Sequence, residues 1–86
     1  MLRLFVAGAS PNSVRAINNL QAICEQHLKG RFTLEIIDVY LEPTVAKTEQ
    51  IFALPLLIKK IPEPERRLIG DLSDTSRVLK ALSITR

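Results

Sequence analysis

The chain has 86 residues and a mass of 9.7 kDa, the size of one domain. It is 47% hydrophobic and 24% charged, a globular rather than a disordered composition. Twelve basic and nine acidic residues leave a net charge of +3, too small an excess to argue for nucleic acid.

Leu2 to Ala7 is apolar with one basic interruption and predicts a strand. Gly8-Ala9 follows as a turn. Ser10-Pro11 is a helix start, because a hydroxyl at the N-cap can accept from a free backbone N–H and proline loses nothing at the first helical position. Val14, Ile17, Leu20, Ile23 or Cys24, and Leu28 then form a stripe at helical spacing, and Lys29-Gly30 is a suitable stop. Phe32 to Tyr40 is rich in β-branched and aromatic residues and predicts a second strand. Leu34 and Ile36 lie on one face, Ile37 and Val39 on the other. Two apolar faces place this strand in the centre of its sheet. Strand, helix, strand is a βαβ unit with parallel pairing.

Glu42-Pro43 ends the second strand, and Thr44 to Gln50 is a short helical candidate. The second half is ambiguous. Ile51 to Ile61 fits a strand broken at Pro55, or a helix end followed by a strand. Pro62-Glu63-Pro64 is a turn. Glu65 to Gly70 fits a hairpin strand or a short helix. Asp71-Leu72-Ser73 caps a last helix that turns Val78, Leu79 and Leu82 to the core.

Burial of roughly 64% of the surface is expected at this mass, so the core is small and self-association is a natural way to extend it. Ile51 to Ile58, the longest apolar run, is eight residues with Pro55 inside it, against about 20 for a membrane span. The N-terminus is too short in apolar residues for a secretory signal, so a cytoplasmic protein is expected. Cys24 is the one cysteine, which excludes an intrachain disulfide and a thiolate zinc cluster. It sits on the apolar stripe and reads as core. His27, the one histidine, reads as a solvated residue at a helix C-terminus rather than a base. No glycine-rich phosphate cradle is present, and no metal or cofactor is expected. Lys59, Lys60, Arg66 and Arg67 could face a nucleic acid, but four aromatic residues offer little to stack on bases. The β-α-β start suggests a thioredoxin-like chain. The slot for its two cysteines reads Ser10-Pro11-Asn12-Ser13, and a hydroxyl cannot replace a low-pKa thiolate, so no redox enzyme is expected.

The segments AGASPNSVRA (7–16), IIDV (36–39), ALPLLIKKIPEPERRLIGDLS (53–73) and RVL (77–79) resemble the KaiB family of circadian clock proteins, nearly collinearly from Arg3 to about Leu82. Pro62 and Pro64 match two positions of a family proline cluster, with Glu63 between them. The resemblance implies a non-enzymatic regulatory protein that binds a KaiC-family ring ATPase and needs no cofactor. It also implies competition with a thioredoxin-like sensor domain of a histidine kinase, and a homo-tetramer or dimer when free. Two folds are implied within the α/β class. One is a βαββααβ meander, expected for the isolated protein; the alternative is a thioredoxin-like βαβαββα order that binds KaiC.

Carried over residue by residue, Arg3, Arg15 and Arg67 match basic positions that meet acidic groups on KaiC. Pro55 matches the position that is cis in the thioredoxin-like form. Pro55, Pro62, Pro64, Gly70 and Asp71 lie in the turns of the half that changes fold. Glu35 stands where clock members of the family usually carry a basic KaiC-contact residue. With the abrupt start at Met1 and no acidic tail at Arg86, it implies a homologue outside the core oscillator, in a regulatory or stress role. These departures tell against KaiA as a partner. A sensor or adaptor module of a histidine kinase is the alternative reading.

Overall fold

Alternation of side chains builds the first strand. β1 (Leu2–Val6) sends Leu2, Leu4 and Val6 to one face of the sheet and Phe5 to the other, and all four are buried. The computed structural model describes residues 1–29, 32–51, 53–59 and 65–82. After β1 come α1 (Pro11–His27), β2 (Leu34–Asp38), α2 (Pro43–Thr48), β3 (Leu56–Lys59), β4 (Arg66–Ile69) and α3 (Thr75–Ala81). The four strands form one sheet in the order β2-β1-β3-β4. β1 and β2 are parallel, whereas β1–β3 and β3–β4 are antiparallel.

The α/β class therefore holds, and the observed order is βαβαββα, the second of the two expected. It is not the βαββααβ order expected for the isolated protein. Residues 43–48 close into a helix, and 56–59 and 66–69 pair as a hairpin. The Leu54–Pro55 peptide is cis. Pro62 and Pro64 lie outside the described residues.

Helices cover both faces. On one, Ala16, Leu20, Ile23 and Cys24 of α1 and Val78 of α3 pack with Leu2, Leu4, Val6 and Leu57. On the other, Val45 and Ala46 of α2, with Ile51 and Leu54, close over Phe5, Ile37, Val39, Leu56 and Ile58. Each fully buried side chain of this size contributes about 1.5–3 kcal/mol.

This layering corrects the reading of β2. Its two apolar faces reflect a helix on each side of the sheet, not a strand on each side of β2. β2 is an edge strand, and Ile36 remains 41% exposed. Val14 also leaves the predicted stripe. It is exposed, while Ser13 takes a buried place on α1. Ser13 is tolerated there because its Oγ accepts from the Ala7 N–H at 3.1 Å and the Ser10 hydroxyl at 2.8 Å. Ser10 caps α1 as predicted, accepting from the Ser13 N–H at 3.4 Å.

The cap of α3 is Asp74, which accepts from the Arg77 N–H at 3.2 Å. Asp71 instead shapes the preceding turn by accepting from the Ser73 N–H at 3.1 Å. Leu72, at a φ of 62°, is held in this unfavourable region by burial of its side chain in the α1-side core.

Candidate functional site

The strand register brings three of the expected partner-binding residues into one line. Arg3 is opposite Glu35 on β2 and Ile58 on β3, and Ile58 is opposite Arg67 on β4. Glu35, Arg3, Ile58 and Arg67 thus form a row across all four strands, on the face that α2 covers. In the next row, Ile37, Phe5, Leu56 and Ile69, the first three supply the apolar contact for α2 and its following loop, while Ile69 at the β4 end stays exposed. α2 spans only six residues, so it covers these three apolar side chains and leaves the charged row at its margin.

Glu49, at the C-terminal cap of α2, bridges the charged row. Its carboxylate is 3.6 Å from Arg3 Nη1 and 4.0 Å from Arg67 Nη2. Its backbone carbonyl accepts from Arg67 Nη1 at 3.0 Å. Ile58, between the two arginines in the register, is fully buried. The outer flanks carry further acids. Glu35 Oε1 is 3.1 Å from Arg3 Nε, an ion pair outside hydrogen-bonding geometry, and Glu65 Oε2 accepts from Arg67 Nε at 3.0 Å. The signs run minus, plus, minus, plus, minus from Glu35 to Glu65. Each guanidinium is held between two carboxylates.

Sequence reasoning found Arg3, Glu35 and Arg67 but missed Glu49 and Glu65. Glu65 was legible as a near neighbour of Arg67 on the same strand arm. Glu49 carried no local signal, because only the packing of α2 on the sheet brings its C-terminal cap over Arg3 and Arg67.

Arg15 is elsewhere. It extends from α1, on the opposite side of the sheet, with its Nε 3.4 Å from Asp71 Oδ2. Its guanidinium also hydrogen-bonds Asn12 Oδ1. Asn19 Nδ2 donates to the Asp71 carbonyl at 2.8 Å, so α1 holds the turn before α3 at two points. The Asp71 carboxyl is held below its ordinary pKa, first by hydrogen bonds from the Ser73 side chain and backbone, then by Arg15. Gly70 takes a φ of 117°, which favours glycine, and its N–H donates to the Pro55 carbonyl at 3.0 Å. Gly70, Asp71 and Pro55 therefore meet at the end of the β3–β4 hairpin, apart from Arg3 and Glu35.

The remaining candidates carry no visible chemistry. Cys24 is fully buried, and burial, with the nearby Glu25 charge, pushes its thiol up to about 11. His27 is half-buried at the end of α1. Lys59 is only 2% exposed, which removes it from a nucleic-acid surface, and Lys60 lies outside the described residues. Among the described residues no group of three His, Cys, Asp or Glu could hold a metal. No helix among them is long and apolar enough to cross a membrane.

The KaiB domain model matches residues 3–84. The chain belongs to the KaiB family. It is 48% identical to the circadian clock oscillator protein KaiB of Prochlorococcus marinus strain MIT 9312, over 98% of this chain and 80% of that protein. It is likewise 48% identical to KaiB of Nostoc punctiforme, over 98% of this chain and 81% of the relative. Solved structures similar in fold include the N-terminal domain of Synechococcus elongatus SasA. That similarity has a TM-score of 0.76 and 24% identity, and it covers 99% of this chain and 84% of the domain. Chloroplastic thioredoxin z is similar with a TM-score of 0.78 at 22% identity, over 96% of this chain and 75% of that one. The thioredoxin-like fold is therefore shared by this KaiB family member, with Ser10 and Ser13 at the ends of the α1 entry turn.

Proposed function

We propose that this chain is a non-enzymatic regulatory protein that binds a KaiC-family ring ATPase and modulates its cycle, in a circadian or clock-like system. The match to the KaiB family over residues 3–84 carries the reading. The βαβαββα order supports it, because the family resemblance assigns that order to the KaiC-binding form. The buried, weakly acidic Cys24 thiol speaks against dithiol exchange. A cytoplasmic location, and association into a tetramer or dimer that competes with partner binding, belong to the same reading. A population shift of this kind needs only a few kcal/mol between the two packings.

The charged row gives the interface its character. Arg3 and Arg67 are already balanced by Glu35, Glu49 and Glu65. A partner carboxylate must compete with these, while Glu35 offers an exposed site to a partner cation. The partner face that fits is mixed in charge, rather than uniformly acidic.

Size-exclusion chromatography with light scattering tests this reading. The chain is run alone and after hours with the KaiC homologue of the same organism and ATP. Co-elution of monomer with the ring is expected, weakened by Arg67→Ala. A ring that runs free after a day at tens of micromolar sinks the reading. The second reading, a sensor or adaptor module of a histidine kinase, is favoured by the SasA fold similarity alone. Binding to a kinase dimerisation domain, and none to the ATPase, would establish it.

A further inference from the structure

At the β4 end of the α2 face lies a groove of about 340 Å³, lined by Gln50, Ala53, Leu56, Arg67, Ile69 and Arg77. That volume is at the small end of the roughly 300–1,000 Å³ of ligand pockets, so one or two side chains fill it rather than a cofactor. Leu56 forms a buried floor at 3% exposure, whereas Ile69 stands 59% exposed at the end of β4. Ile69 is the only member of its row left uncovered, because α2 lies over Phe5, Ile37 and Leu56.

Two further features sit beside this apolar wall. β4 is an edge strand, and among the described residues no strand pairs with its outer side. Arg77 is exposed, and its guanidinium has neither an ion pair nor a hydrogen bond among the described residues. Arg67, on the other flank, is held by Glu49 and Glu65. The groove thus joins an open strand edge, an uncovered isoleucine and one uncommitted cation.

We propose that this groove docks an extended acidic segment of a partner protein, with an apolar side chain against Ile69 and a carboxylate on Arg77. Charge selects that occupant. Arg77 brings the groove an uncommitted cation, which an acidic segment complements and a second copy of the basic β4 edge does not. An acidic segment meets the same edge with attraction. Backbone pairing along β4 would supply affinity, and the groove would supply specificity. The proposal goes beyond the KaiC-family reading and does not depend on it. It uses Ile69 and Arg77, not Arg3 and Glu35.

Selection of random 12-residue peptides on the monomeric fraction of the 86-residue chain provides the probe. Enriched sequences are expected to place Asp or Glu within two residues of Leu, Ile or Phe. With an enriched peptide, amide chemical shifts should move at Gln50, Ala53, Leu56, Arg67 to Gly70 and Arg77, and stay still along α1. Ile69→Lys and Arg77→Glu should each weaken binding at least tenfold. Both side chains are exposed, and an unchanged Tm confirms that the fold is retained. Selection repeated on Arg77→Glu should lose its acidic consensus. Enrichment of basic or uncharged peptides, shifts that map to β2 or α1, or equal binding by both variants would overturn the proposal. So would no enrichment at all. None of these results bears on co-elution with the ring ATPase, so the two readings fail separately.

Discussion

Replacing Glu49 with glutamine removes a charge from the centre of the row and keeps the side chain's shape. The carboxylate is 3.6 Å from one guanidinium nitrogen and 4.0 Å from another. At an effective dielectric constant near 20 each contact is worth about 4–5 kcal/mol before desolvation. Most of that is offset by the loss of hydration and the ordering of two long side chains. Exposed pairs retain about 0.2–1 kcal/mol, and breaking a buried pair costs about 3–5 kcal/mol. The Glu49 side chain is 15% exposed and its partners 32% and 37%, an intermediate case. A cost of about 1–2 kcal/mol is expected for Glu49→Gln. Urea unfolding of the monomeric fraction at low salt measures it. A double-mutant cycle with Arg67→Met isolates the pair, and a coupling of about 0.5–1 kcal/mol is expected. At 1 M salt, where screening acts over about 3 Å, the coupling should fall by half or more. A coupling below about 0.3 kcal/mol at low salt, or one that salt does not change, would refute the view that Glu49 bridges the row.

Other parts of the molecule give sharper local tests. Phe5→Ala empties a fully buried site between β1 and α2, and a loss of about 3–5 kcal/mol in urea unfolding is expected. The Cys24 thiol, raised from 9.0 to about 11, should react with an alkylating agent at pH 8 at least 100-fold more slowly in native than in unfolded protein. Between those two values the unfolded thiol ionises and the native one does not, so this thiol should lower stability by about 2 kcal/mol as pH rises from 9 to 11, and Cys24→Ala should remove that part of the decline. The Asp71 carboxyl is depressed in the fold, so its contribution is present above the ordinary value of 3.8 and lost as pH falls through the lower native one. A carboxyl titration followed by NMR should show the depression shrink in Arg15→Ala. Gly8→Ala places a Cβ 3.3 Å from the Tyr40 ring at a φ of 58°, and thermal unfolding should report a loss of about 1 kcal/mol.

The first half of the fold was legible because its signals are local. Ser10 and Pro11 start α1 through a cap that needs only neighbouring atoms. The apolar residues of β1 and β2 are close enough in sequence, across one helix, for a parallel pair to follow from connection rules. The second half was not legible, because short apolar runs such as Leu56 to Ile58 serve a strand or a helix equally well. Their strand identity comes from pairing with β1 on one side and Arg66 to Ile69 on the other. The place of β2 at the sheet edge was likewise a tertiary outcome, since a covering helix and a neighbouring strand demand the same apolar pattern.

By itself the sequence determined the α/β class, the helix start at Ser10, the lack of a second thiol and, through its motifs, the family. These depend on residue identity and on contacts within a few positions. Tertiary structure alone decided that Arg3, Glu35 and Arg67 share one row, that Arg15 stands apart from them, and that Glu49 closes the row. Those relations are set by strand register and by the packing of α2 on the sheet. Coulomb energy depends on distances in space, which no spacing along the chain records.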